Sequence, residues 1–170
     1  MIEPDKILEE LSIIHIGIRL SIYNKERIVE FSDRLINREE DPDILFIDIS
    51  FASQNKNELI ETLGSFVASN RTQVDTEKLL SIIQFLFSND QLNLESTVML
   101  LYKLNNEFEF PETINNEIHR LDDQYHLVSN KHVEQTIEEL NKELKYFLDS
   151  HIKENLKLTI LNNETTYNTM

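Results

Sequence analysis

The 170-residue chain contains no cysteine, so disulfides, thiolate metal sites and cysteine nucleophiles are excluded. It contains two glycines, Gly17 and Gly64. A Walker loop or a dinucleotide fingerprint needs several glycines so that backbone amides can close on phosphate, and neither motif is present. No serine sits in a Gly-x-Ser-x-Gly elbow. Cations are scarce as well: 16 lysines and arginines face 31 carboxylates, a net charge of -15. Nucleic acid and anionic membranes are bound through Lys and Arg, so neither is expected as a partner. No apolar run approaches the length of a membrane span. The first residues lack the basic, then apolar pattern of a secretory leader, and a cytoplasmic location is expected.

What is present is an ordinary globular balance of 40% hydrophobic and 28% charged residues, at a length that fits one domain or at most two tightly packed halves. Three prolines and two glycines among long apolar periodicities predict helices joined by short loops. Helices are expected over about residues 5–23, 25–37, 56–69, 76–88, 94–106, 112–124 and 130–155. Residues 43–52 are ambiguous, because Leu45, Ile47, Ile49 and Phe51 alternate like a strand. The start signal Asp41-Pro42 and the helical surroundings favour a helix there. Val133, Ile137, Leu140, Leu144 and Phe147 form the most regular amphipathic stripe, one that closes the core or serves as a dimer seam. The fold expected is all-α: a single-domain multi-helix bundle or array of about seven to eight helices over residues 1–155. A polar tail, 156–170, follows and has room for a short strand at its start.

Two groups of side chains are candidate sites. His119, Asp122, Asp123 and His126 fall at i, i+3, i+4 and i+7 on a helix and could hold zinc or iron. No recognised ligand motif contains them, and a solvated polar face is the commoner meaning of such spacing, so no cofactor is expected. Glu107, Glu109, Glu112, Glu117, Asp122 and Asp123 form an acidic stretch broken only by Arg120, suited to docking on a basic protein. A second acidic run, Glu39, Glu40, Asp41 and Asp43, complements a helix start. Charge runs are usually just solvated, and both are weighed against that. Paired carboxylates are too numerous to nominate a catalytic pair, so binding is expected rather than catalysis. Asp48 is expected to face solvent and His15 to be a satisfied core residue. Phe46, Phe51, Phe85, Phe87, Phe108 and Phe110 read as core.

Tyr102, followed by Phe108-Glu109-Phe110-Pro111-Glu112, has the aromatic, spacer, acidic-aromatic, proline order of a segment in a bacterial family of small helical proteins of unknown function. The stretch 137–149, with Tyr146-Phe147-Leu148-Asp149, resembles that family's closing helix. Ile16-Gly17-Ile18 and Ile28-Val29-Glu30-Phe31 are similar in spacing to its start. The resemblance covers most of the chain and implies no catalytic residues. It implies a role of immunity type: binding and neutralising a partner. A homo-oligomer seamed by the last helix is the structural alternative, and a metal protein or enzyme using the His/Asp group is the chemical one.

Overall fold

A computed structural model describes residues 2–152, 156 and 158–162. Within them the chain is all-helical, with eight α-helices: α1 Leu8–Arg19, α2 Glu26–Arg38, α3 Ile44–Phe51, α4 Lys56–Asn70, α5 Thr76–Ser88, α6 Leu94–Glu107, α7 Glu112–Ser129 and α8 Ile137–Asp149. The ambiguous segment is helix α3. It starts after Asp43, whose carboxylate accepts the Leu45 amide at 2.9 Å, and so begins two residues beyond the Asp41-Pro42 pair. Asn55, Asp75 and Asn93 cap α4, α5 and α6 in the same way, each taking up amides that a helix start leaves unbonded.

Helix ends follow a common device. After α1, α5 and α7 one residue takes a left-handed conformation: Ser21 (φ 60°), Asp90 (φ 56°) and Lys131 (φ 58°). The amides of Ile22, Gln91 and His132 then reach back to the carbonyls of Gly17, Leu86 and Leu127 at 2.8, 2.9 and 2.9 Å. This is the Schellman closure, in which glycine is the usual left-handed residue. A chain with two glycines accomplishes it with Ser, Asp and Lys, at a cost in backbone strain. The closure also ends α1 at Arg19, short of Tyr23.

The chain divides into two compact units, one formed by Met1–Val74 with Lys157–Met170 and the other by Asp75–Leu156. In the first, α1 is buried from Leu8 to Ile18 and packs on α4, while α3 packs on α2 and α4. The two glycines admit rings. A Cβ on Gly17 would lie 2.1 Å from Cδ2 of Tyr23, and one on Gly64 would lie 2.9 Å from Nε2 of His15. His15 is buried against α4, as expected of a core histidine. Burial pushes the Tyr23 phenol far above its ordinary range, with Arg27 opposing.

The short strand for which the tail has room at 156–161 does not form among the described residues. Leu158, Ile160 and Leu161 are buried. The amides of Thr159, Ile160 and Leu161 point at one carboxylate, Glu10 of α1, at 2.7, 2.8 and 3.3 Å, instead of at a neighbouring strand. Arg27 Nη1 donates to the Leu161 carbonyl at 3.4 Å. The polar run 163–170 lies outside the described residues.

In the second unit, α5 contacts α6 and α8, and α7 contacts α6 and α8. The last helix is shorter than expected at both ends. Thr136 and Glu139 form a capping box that starts it at Ile137, and the left-handed Lys131 separates it from α7. It ends at Asp149, and of the expected extension 153–155 lies outside the described residues. Leu140, Leu144 and Phe147 of the stripe are buried, whereas Val133 precedes the helix and Ile137 is exposed at its first turn. The buried part of the stripe is therefore used inside the unit. Phe46, Phe108 and Phe110 are core, and Phe85 and Phe87 are half-buried. Phe51 is not core: it is 80% exposed, because Leu45, Phe46 and Ile49 take the inward side of α3.

Two substitutions test this account with opposite signs in urea denaturation. Gly17→Ala should destabilise by about 1–3 kcal/mol, since Tyr23 must leave the helix surface. Lys131→Gly should stabilise by about 0.5–1 kcal/mol by relieving the left-handed strain. Equal midpoints for Gly17→Ala and the parent chain would contradict the close approach.

Candidate interaction surface

Helix α7 carries most of the residues singled out above. Its inward side is Ile114, Ile118, Leu121 and Val128. At about 100° per residue, the polar positions fall into three groups around the remaining surface. Glu117, Arg120 and Gln124 take one flank. Asp122 takes the other. Glu112, His119, Asp123 and His126 spread over the outward side.

The first flank is internally paired, with one arginine between two carboxylates. Arg120 donates to both Glu117 oxygens, from Nε at 3.0 Å and Nη2 at 2.5 Å, and from Nη1 to Glu143 of α8 at 2.9 Å. It also bonds Gln124. Gln135 donates to the other Glu143 oxygen at 2.8 Å. The hydrogen bond from Arg120 holds the Glu117 carboxyl below the ordinary glutamate range, against a smaller effect of burial. Arg120 thus ties α7 to α8 through Glu143 and holds Glu117 within α7.

His119 leans on α6. Its ring meets Tyr102 edge-on at 5.7 Å, and Nε2 lies 3.4 Å from Asn105 Nδ2. Asn105 in turn donates to Asn115 at 2.5 Å. His126 Nε2 is 3.8 Å from Asp122 Oδ1. The helical spacing sets Asp122 and Asp123 about 100° apart around the axis. Among the described residues, no three His, Asp or Glu side chains come together to hold a metal ion.

The remaining acids are differently placed. Glu109, Glu112 and Asp123 are exposed, and among the described residues no lysine or arginine lies within ion-pair distance of them. Glu107 is half-buried at the end of α6. The six acids of the sequence reading are therefore not one face. Glu117 is committed to Arg120, while Glu109, Glu112 and Asp123 stay open to solvent.

Sequence reasoning passed over two features. One is the buried Glu10, which lies beside Glu9 near the start of α1. The other is the outward side of α3, where Ile44 and Phe51 are exposed on either side of the exposed Asp48.

No protein-family model, curated protein or solved structure matches the chain. Among the described residues no helix is long and apolar enough to cross a membrane.

Arg120→Gln should move the Glu117 carboxyl upward toward the ordinary range in an NMR pH titration. The depressed value means that this pair stabilises the fold above the ordinary glutamate pKa, and that the contribution is lost as pH falls through the folded-state value. Both partners are well exposed, so the stability change should stay below about 1 kcal/mol. An unmoved Glu117 titration would contradict the assignment.

Proposed function

We propose that this protein is a binding module that engages and masks a basic surface on another protein, in an immunity-type or regulatory role. The reading rests on one observation above others: Glu109, Glu112 and Asp123 are exposed carboxylates without a cation at ion-pair distance among the described residues, in a chain of net charge -15. Carboxylates neutralised within the fold, as Glu117 is, add little to an external field. Open ones steer a cationic partner and raise its association rate. Asp122, beside His126, extends the group. Affinity would then come from apolar side chains buried on contact. The metal or enzyme reading of His119, Asp122, Asp123 and His126 has weaker support, since His119 leans on Tyr102 and Asn105 and the two aspartates diverge around the helix.

The test is capture from the native host's lysate by the full chain and by a variant carrying Glu109→Gln, Glu112→Gln, Asp122→Asn and Asp123→Asn. The expected result is a basic protein released by moderate salt, with its association rate on the variant reduced about tenfold or more. A partner whose association rate depends on neither salt nor these four residues would overturn the reading.

A further inference from the structure

On helix α3 the described residues of its own unit leave Ile44 and Phe51 exposed. Leu45, Phe46 and Ile49 point inward, toward α2 and α4. The other side, at i, i+3, i+4 and i+7, consists of Ile44, Ile47, Asp48 and Phe51. Ile44 is 67% exposed and Phe51 80%, among the most exposed large apolar side chains described. They are separated by seven residues, about 10 Å along the helix. Single exposed hydrophobics are normal, but two on one short stripe with a half-buried isoleucine between them form a strip that a second helix could cover.

The segment that carries the strip has charges of one sign. From position 39 to position 55 the chain has five carboxylates, Glu39, Glu40, Asp41, Asp43 and Asp48, and no lysine, arginine or histidine. Asp33 of α2 borders the far end of the strip, accepting the Ser50 hydroxyl at 2.5 Å. Beyond that end, Lys25 bonds the Ser53 carbonyl and Lys56 bonds the Ser21 hydroxyl. We propose that the outward face of α3 docks a basic amphipathic helix of a partner protein. Apolar side chains of that helix cover Ile44, Ile47 and Phe51, and its lysines or arginines meet Asp48 and the carboxylates at the start of α3. A second copy of this chain is the poorer occupant. Two-fold pairing about the middle of the strip would set Asp48 against its own kind.

This proposal rests on the reading of the chain as a binding protein but not on the α7 carboxylates, and the experiment separates the two. Full-length protein is titrated with a short amphipathic leucine/lysine helical peptide, with a leucine/glutamate peptide of the same pattern as control, and followed by amide NMR. The lysine peptide should bind saturably and shift the amides of residues 44–51, and the glutamate peptide should not bind. The double variant Ile44→Ser, Phe51→Ser alters only exposed positions and should weaken binding about tenfold or more. Glu112→Gln with Asp123→Asn should leave it unchanged. Shifts confined to α7 and lost with the Glu112, Asp123 variant would overturn the α3 site while sparing the α7 reading. No binding of the lysine peptide, or binding indifferent to both variants, would overturn the α3 proposal. A concentration-dependent dimer abolished by Phe51→Ser would overturn it too, because a second copy would then be the occupant.

Discussion

The carboxylate of Glu10 is buried in α1, and it gathers the amides of residues 159–161 from the other end of the chain. An ionised carboxylate taken out of water is costly unless its lone pairs are filled, and charge-assisted bonds from three backbone donors supply that compensation. The same bonds satisfy three amides that would otherwise need a strand partner. The burial of Leu158, Ile160 and Leu161 accompanies the capture. Chain-closure entropy grows only slowly with length, so a few good bonds and three apolar side chains suffice to hold a segment so distant in sequence. The first unit is therefore built from both ends of the chain.

The exposed stripe of α3 belongs to this unit. Helix α1 meets α4 through the Gly64–His15 approach, and α4 and α2 together carry α3. The outward stripe of α3 is presented by a frame whose central helix is tied down at Glu10. In the second unit, Arg120 joins α7 to α8 on the surface through Glu143 and holds Glu117 within α7. That pairing withdraws Glu117 from the acidic field and leaves Glu109, Glu112 and Asp123 to project it.

Most of the helical architecture was legible in the residues. Asp75 before a dense apolar run and Phe110-Pro111 before α7 are local signals with local causes, and the structure follows them. The tertiary features were not legible. Leu156, Leu158 and Ile160 alternate along the sequence like a strand, but the amides of residues 159–161 are claimed by Glu10, which no local pattern announces. Phe51 reads as core by residue type, yet a helix of eight residues has only one inward side, and Leu45, Phe46 and Ile49 occupy it. The start of α8 was hidden by Val133, which continues the heptad-like stripe before the capping box at Thr136 begins the helix. The acidic residues near α7 look like one patch in sequence. Around a helix axis they separate, and Arg120 selects Glu117 from among them.

The capture of the C-terminal segment by Glu10 is the claim on which the first unit stands, and amide hydrogen exchange reads it directly. Residue-resolved exchange on the full chain at neutral pH should show the amides of Thr159, Ile160 and Leu161 protected to the degree of the buried amides of α1, because they open only when the unit opens. Exchange of those three amides at the rate of an unstructured chain, with α1 still protected, would contradict the account.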